Sequence, residues 1–396
     1  MDLLGIGNTL DIFVSSAVQE SQLESLANSA LSRAIDLYIK EDYEGSIKEF
    51  QRAIGLAPAS PNSVDAANYM ANAYLHLNDT EAAVKAYQMA IRLNPSRDDT
   101  RIKLGNLYFS QGRYEEAVKE YKEAVRINPS PDNFFALGQA YLHTGQINEA
   151  EDQFIRVRGL EPEKPNGHYG LGLAYSKRGR YEDAIRQFEK AVQLRNDFYD
   201  AYAEIGYAYA DLGRMEEAQE MVELLEEKAP ELADTLSRYM YKVDAPKLMF
   251  AYSTSSFNHH LSVNTPVSAL DAYLATANTS KVFTMKFQFD KQMDRDSVEN
   301  VLNWRISRAA GSGPGQAYNF AMTIPPSEVT IAPIPEHVTY DSDTLTATVY
   351  FRIHQNASAD GTIDPSHIEF KFSGEDQFGL KMDSDHDQFT GFYGIA

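Results

Sequence analysis

The chain contains no cysteine, and its basic residues are scarce relative to its acidic ones. The absence of cysteine excludes disulfides, thiol catalysis and thiolate metal sites. Only 36 Lys and Arg stand against 57 Asp and Glu, a net charge of −21. Because a phosphate backbone or an anionic membrane surface attracts Lys and Arg, this balance disfavours both as partners. The 396 residues, 43% of them hydrophobic, are sufficient for two or three folded domains.

A spacing pattern of small and large residues returns with a period of about 34 residues, which is typical of stacked repeats. One copy consists of Leu104, Gly105, Tyr108, Ala117, Tyr121, Ala124 and Pro129. Four similar copies follow or precede it, and a degenerate one begins near Ala34. Each copy has two apolar stripes at helical spacing, which predicts two amphipathic helices. Gly112 suits a left-handed turn between them, and Pro129 ends the second helix.

These residues resemble the tetratricopeptide repeat (TPR) family over residues 27 to about 233, although the tryptophan common early in that motif is missing. The resemblance implies a right-handed α-solenoid of about six repeats and a terminal helix, spanning residues 27–243. It also implies a protein-binding function. Some TPR proteins grip a C-terminal carboxylate with Lys and Arg around paired asparagines. Asn72 and Asn106 occupy the asparagine places, but Asn68, His76 and Ile102 occupy the basic ones, so this activity is not expected.

In TPR arrays the first helix of each repeat lines a concave groove. Amide and aromatic side chains in such a groove suit an extended or helical peptide, since amides pair with backbone and aromatic rings supply contact area. The alternative is that several of these side chains only pack between helices. The groove positions that the resemblance implies are Asn68, Asn72, Asn106, Phe109, Phe135, Gln139, Tyr169, Leu173 and Tyr207.

Residues 1–26 form an apolar segment that lacks the marks of a secretory signal. Asp2 and Asp11 interrupt it, and the first basic residue is Arg33. The segment is also too short and too interrupted to cross a bilayer. It is expected either to cap the first repeat or to dock on another copy of the chain. The candidate assembly residues are Leu3, Leu4, Ile6, Leu10, Ile12, Phe13 and Val14.

The helical spacing of apolar residues ends near residue 243. Beyond it, apolar residues recur at every second position. Residues 244–280 are expected to be a linker with a first strand near Leu248 to Tyr252. From residue 281 to 396, apolar and polar residues alternate, as in an antiparallel sandwich with one buried face. Two series of apolar residues predict inward-facing strands: Phe283, Met285, Phe287 and Phe289; and Leu345, Ala347, Val349, Phe351 and Ile353. Trp304 is expected in the core.

Several short sequence stretches in this region resemble the bacterial Ig-like domains of surface-layer proteins. The stretch from Phe289 to Asp294 is similar to an early strand and turn of that family, and Asp376 to Leu380 is similar to its closing turn. The resemblance implies an Ig-like β-sandwich and a bacterial, extracellular or cell-surface location. A protein of this length without cysteine is compatible with export, and a cytoplasmic location is the alternative.

Three carboxylates alternate along one short stretch, at Asp383, Asp385 and Asp387. Oxygen ligands spaced in this way can converge on a hard cation such as calcium. The glycine and the closing Glu of a calcium-binding hand are missing, however, so a solvated acidic turn is the alternative. No other cofactor is expected. No nucleophile lies beside a base in a recognisable motif, which favours a binding protein over an enzyme.

The expected architecture is therefore a multidomain α + β chain, in which a TPR solenoid precedes an antiparallel Ig-like sandwich. The expected function is protein–protein interaction without catalysis. The first hypothesis is a self-associating structural subunit of a bacterial surface or filamentous assembly, whose partners are other copies of itself. The alternative is an adaptor that binds a peptide segment of a different protein in its groove.

Overall fold

The computed structural model describes residues 5–252, 254–311 and 316–391, with side chains from residue 18 onward. It divides into two units, Met1–Ser237 and Arg238–Ala396. The first contains helices in tandem and the second contains antiparallel sheets. Within the described ranges, no helix combines the length and apolar character that crossing a bilayer requires.

The predicted helical repeats are confirmed, because consecutive helices pair as hairpins and each hairpin packs against the next. A hydrophobic core runs without interruption from Ala34 to Ala174. The helices are α1 Gly5–Ile39, α2 Tyr43–Leu56, α3 Asn62–His76, α4 Thr80–Leu93, α5 Asp98–Ser110, α6 Tyr114–Ile127, α7 Pro131–His143, α8 Ile147–Leu160, α9 Asn166–Lys177, α10 Tyr181–Leu194, α11 Tyr199–Asp211, α12 Met215–Lys228 and α13 Pro230–Val243.

The hairpin turns depend on glycine where the backbone is left-handed. Gly112, Gly145, Gly179 and Gly213 lie between the two helices of successive hairpins, with φ between 72° and 74°. A side chain would strain this conformation, whereas glycine adopts it freely. The expected role of Gly112 is thus confirmed, and it recurs in three further hairpins.

Glycines on the first helices let an aromatic ring of the second helix lie against the backbone. Phe154 of α8 is fully buried between Gly138 of α7 and Gly170 of α9. A Cβ atom on Gly170 would lie 2.2 Å from Phe154 Cδ1, and one on Gly138 would lie 2.6 Å from Phe154 Cε1. The close approach of α8 to α7 in its own hairpin and to α9 in the next therefore requires the absence of a side chain at both positions.

Helix α1 is much longer than the helix that pairs with it. At about 1.5 Å per residue, α1 extends for about 52 Å and α2 for about 21 Å, so α2 covers only the C-terminal part of α1. Ala27, Ala30 and Ala34 are buried there, whereas Val18 and Leu26 are 53% and 52% exposed. The predicted assembly residues Leu3 and Leu4 lie outside the described residues, as do the side chains of Ile6, Leu10, Ile12, Phe13 and Val14.

The second unit contains two antiparallel sheets around one core. One sheet has the order β1-β3-β6-β5 and the other β4-β8-β9, while β2 and β7 form a separate pair. The short helix α14 (Arg295–Glu299) follows β3. The strands are β1 Leu248–Ala251, β2 Thr265–Pro266, β3 Ser280–Phe289, β4 Trp304–Arg308, β5 His337–Asp341, β6 Thr346–His354, β7 Thr362–Ile363, β8 Ile368–Phe372 and β9 Gln388–Thr390.

The predicted alternation matches the buried face of these sheets. On β3 the four predicted inward residues are buried, and on β6 the residues from Ala347 to Ile353 alternate in the same way. Leu345 is the exception, because it precedes β6 with φ 53° and lies outside the strand. Trp304, at the start of β4, is 2% exposed and packs on Phe287 and Phe372. The predicted core position of this tryptophan is confirmed.

Candidate partner-binding surface

The predicted groove residues lie on α3, α5, α7, α9 and α11, which we call the first-helix layer. Successive helices of this layer contact each other directly. Asn68 of α3 donates to Thr100 Oγ1 of α5 at 3.1 Å, and Asn133 of α7 donates to Asp98 Oδ2 of α5 at 3.0 Å. Helix α9 packs on both α7 and α11. The structure thus brings the predicted residues onto one continuous layer.

Asn68 lies inside this layer rather than on its surface. Its side chain is 4% exposed, and its hydrogen bond to Thr100 joins the first helices of two repeats. A partner cannot reach such a group without separating α3 from α5. Asn68 therefore fits the packing alternative that the sequence left open.

Asn72 and Asn106 each hold the tyrosine that lies fifteen residues later. The hydroxyl of Tyr87 donates to Asn72 Oδ1 at 2.7 Å, and that of Tyr121 donates to Asn106 Oδ1 at 2.6 Å. A buried tyrosine needs such an acceptor, and burial raises the pKa of Tyr87 to about 12. Both asparagine side-chain oxygens thus already accept a hydrogen bond from within their own hairpins. Asn106 is nevertheless exposed.

Two aromatic residues of the layer, Phe109 and Phe135, are partly buried and contact other rings. Phe109 contacts Tyr114 and His143, with ring centroids 5.1 and 4.9 Å away. Phe135 lies 5.6 Å from Phe154. Each ring is fixed on one side and accessible on another, which is the arrangement of a rigid contact surface.

Tyr169 is held in the same way at the end of the layer formed by α9 and α11. Its ring lies 4.7 Å from Phe198 and 5.7 Å from Phe188. Burial, followed by the nearby charges of Glu204 and Asp200, raises the pKa of Tyr169. The remaining predicted residues, Gln139, Leu173 and Tyr207, are also partly buried.

The sequence interpretation missed Glu204, a carboxylate on α11 of the same layer. It is partly buried, and its pKa is raised to about 7, first by desolvation and then by Asp200, while Lys177 acts in the opposite direction. Because the folded chain holds this proton more tightly than the unfolded chain, the contribution of Glu204 to stability falls as pH rises from about 4.5 through 7. The sequence offered no signal for it, because burial depends on the packing of separate helices.

The carboxylates of the acidic turn contact other groups of the chain. Asp383 Oδ1 accepts from the backbone N–H of Asp385 at 3.0 Å, and its Oδ2 lies 3.0 Å from His386 Nδ1. Asp387 Oδ2 lies 3.0 Å from Lys371 Nζ of the neighbouring strand. Among the described residues, no three His, Asp or Glu side chains are grouped so as to hold a metal ion. These contacts fit the solvated acidic turn, which is the alternative that the sequence left open, and the calcium site stays a prediction.

A buried polar cluster before β8 was also missed from the sequence. Ser366 Oγ donates to Asp364 Oδ1 at 2.8 Å, and His367 Nδ1 lies 2.7 Å from Asp364 Oδ2. Asp364 Oδ2 also accepts from the backbone N–H of Asn319 at 2.7 Å. All four residues are at least nine-tenths buried. The serine hydroxyl is thus bonded to the carboxylate beneath the surface, and the cluster joins two loops of the sheet unit.

Comparison with known proteins agrees with the helical part of this description. Residues 17–235 match a family model described as the Cilia and flagella-associated protein 70 C-terminal domain. No curated protein matches the chain significantly.

Solved structures similar to this chain include a tetratricopeptide repeat protein from Parabacteroides merdae, with 16% identity and a TM-score of 0.49 over 55% of this chain and 89% of that one. MamA protein has 26% identity and a TM-score of 0.38, over 44% of this chain and 96% of that one. YrrB, described as a TPR protein with an unusual peptide-binding site, has 23% identity and a TM-score of 0.38, over 48% and 97%. Because the family model covers more than half of the chain, this protein belongs to the TPR family described as the Cilia and flagella-associated protein 70 C-terminal domain.

Proposed function

We propose that the first-helix layer binds a polypeptide segment of another protein, and that the chain acts as an adaptor. The observation that carries this proposal is the row of partly exposed aromatic rings at Phe109, Phe135 and Tyr169, each fixed from behind by another ring. Fixed aromatic rings contribute contact area with little loss of side-chain entropy. Exposed amide groups such as Asn106 can pair with the backbone of the bound segment. TPR proteins in general are non-enzymatic scaffolds, which is consistent with this proposal.

Replacing Phe135 with Ala is expected to weaken peptide binding at least about tenfold, the size of effect typical of a buried aromatic contact. The probes are short random peptides from a display library, selected on the immobilised full chain and then measured by fluorescence anisotropy. Ile155→Ala is the matched control, because Ile155 is an exposed apolar residue on α8, outside the first-helix layer. Equal losses in the two variants, or binding that neither substitution changes, would contradict the adaptor proposal.

The second unit is, in this proposal, an Ig-like sandwich. If its seven main strands are lettered in chain order, omitting β2 and β7, the two sheets have the orders A-B-E-D and C-F-G. These are the orders of the constant-type immunoglobulin fold, which also has a buried tryptophan on strand C. Trp304 begins β4, the third strand, and packs between rings of the second and sixth strands. An experimental structure in which β4 pairs within the first sheet would refute this assignment.

Self-association through α1 is a second candidate function. It is favoured by the length of α1 beyond the reach of α2 and by the exposure of Val18 and Leu26 on the part of α1 that the structure describes. An apolar helix surface of this kind is often covered by another protein. Light scattering of the full chain should then give a mass above the 44.4 kDa of one chain. Deleting residues 1–20 should lower that mass, whereas a strict monomer at high micromolar concentration excludes this candidate.

A further inference from the structure

The sheet unit contains a cavity of about 270 Å³ that the proposed adaptor function does not use. One wall is the strand β4, and a second is the segment that leads from Glu328 to Ile331. Tyr318, Ile363 and Ile368 complete the lining. A cavity of this volume suits a small molecule rather than a polypeptide segment.

Glu328 brings a carboxylate into this cavity, although its side chain is only 5% exposed. The hydroxyl of Tyr318 donates to Glu328 Oε1. The same hydroxyl accepts from the backbone N–H of Asp364 at 3.0 Å, so its own proton is directed at Glu328. The orientation of the carboxylate is therefore fixed by the chain itself. Its second oxygen, Oε2, accepts no hydrogen bond from the described residues and is not fully enclosed.

Arg308 supplies the cation of the cavity. Its Nη2 atom lies 3.8 Å from Glu328 Oε1, which is too far for a hydrogen bond. The guanidinium also lies 5.2 Å from the centroid of the Tyr318 ring. In the part of the chain that the structure describes, the Arg308 side chain has no hydrogen bond. The cavity thus contains an acid and a base that are close to each other but not bonded.

The rest of the lining is apolar. Ile306 of β4, Val329, Ile363 of β7 and Ile368 of β8 are all buried residues that border the cavity. Aliphatic walls favour an aliphatic group of the ligand, because contact removes apolar surface from water on both sides. The ligand therefore needs an aliphatic part beside a part that matches the two charges.

The two charges restrict that polar part. A ligand with only a cation would be repelled by Arg308, and one with only an anion would be repelled by Glu328. A purely apolar ligand would remove both charges from water without giving either a partner, which is unfavourable. A zwitterion avoids all three difficulties, and a free α-amino acid bears its ammonium and carboxylate on one carbon atom, at a spacing that suits the close Glu328–Arg308 pair.

We infer that this cavity binds a free α-amino acid with an aliphatic side chain. Its ammonium donates to Glu328 Oε2, its carboxylate accepts from the Arg308 guanidinium, and its side chain lies against Ile306 and Val329. This inference concerns the sheet unit and does not depend on the adaptor function.

The test is isothermal titration calorimetry of the full chain with L-leucine and two capped analogues. L-leucinamide lacks the carboxylate and imitates the amino end of a peptide, whereas N-acetyl-L-leucine lacks the ammonium and imitates the carboxyl end. L-leucine should bind the wild type, and each analogue should bind at least about tenfold more weakly. Glu328→Gln and Arg308→Gln should each weaken L-leucine binding by a similar factor.

Arg352→Gln is the matched control, since Arg352 pairs with Glu336 at 2.6 Å on the surface of the same unit and does not line the cavity. This variant should bind L-leucine as the wild type does. An unchanged fluorescence spectrum of Trp304 confirms that each variant is folded. Absence of binding at about 10 mM L-leucine, equal affinity for either capped analogue, or unchanged affinity in both Glu328→Gln and Arg308→Gln would overturn the inference.

Discussion

Replacing Lys291 with Met is expected to destabilise the sheet unit by about 3–5 kcal/mol, because it leaves a buried carboxylate without its cation. Lys291 is 3% exposed, and its Nζ lies 2.7 Å from Asp376 Oδ2. The same ammonium donates to the carbonyl oxygens of Tyr241 and Asp244, each at 2.7 Å. The ammonium thus donates to two backbone carbonyls and pairs its charge with the Asp376 carboxylate.

Aromatic rings complete the surroundings of this ammonium. Lys291 Nζ lies 5.0 Å from the centroid of the Tyr241 ring and 5.5 Å from that of Phe378. The rings exclude water, which strengthens the attraction within the pair and makes the loss of one partner more costly. Asp376 is additionally fixed by the backbone N–H groups of Phe378 and Leu380. It therefore cannot move to solvent when Lys291 is removed.

Chemical denaturation followed by tryptophan fluorescence measures this effect selectively. Trp304 is the only tryptophan in the chain and lies in the core of the sheet unit. Lys281→Met is the matched control, since Lys281 pairs with Asp271 at an exposed position, where about 0–1 kcal/mol is expected. The double variant Lys291→Met with Asp376→Leu should regain much of the loss. A single Lys291→Met variant as stable as Lys281→Met would refute the role given to the buried pair.

Replacing Gly170 with Ala is expected to destabilise the helical unit by about 1–3 kcal/mol, although alanine is the better helix former. The added Cβ atom would lie 2.2 Å from the Cδ1 atom of the fully buried Phe154 ring. Because Gly138 closes the other side of that ring, Phe154 has no space into which it can move. The two hairpins must then separate slightly, and the contact between α8 and α9 loosens.

Replacing Gly159 of α8, the helix before α9, should have the opposite effect on stability. It is exposed on α8, and an added Cβ atom there would meet nothing within 4 Å. Gly159→Ala should therefore stabilise the helical unit by about 0.5–1 kcal/mol through helix propensity alone. Circular dichroism during denaturation gives both values, while the fluorescence of Trp304 should stay unchanged. If Gly170→Ala stabilised the unit as much as Gly159→Ala, the close packing of Phe154 would be wrong.

The helical hairpins could be predicted from the sequence because each depends on neighbours within one period. Gly105, Tyr108 and Tyr121 are less than twenty residues apart, and their contacts lie within one hairpin or between adjacent ones. The same local order allowed the first-helix layer to be located. It did not show that Asn68 is enclosed between two repeats, since that depends on how closely α3 approaches α5.

The candidate site was only partly predictable for a related reason. Tyr169 and Phe135 were recognised from their place in the repeat, but Glu204 resembled any other surface acid. Its raised pKa arises from burial and from residues on two different helices. Desolvation is a property of the packed layer, and no spacing of residues along one helix expresses it.

The sequence by itself determined the repeat length, the hairpin turns and the inward alternation of the strands, because helical and extended backbones impose fixed periods on any chain. Only the tertiary structure decided the pairing of Lys291 with Asp376, the enclosure of Asn68 between α3 and α5, and the raised pKa of Glu204. Each of these depends on side chains whose relative positions are set by the packing of separate elements. Local periodicity constrains which face a residue occupies, whereas the partner that it meets there is fixed by long-range packing.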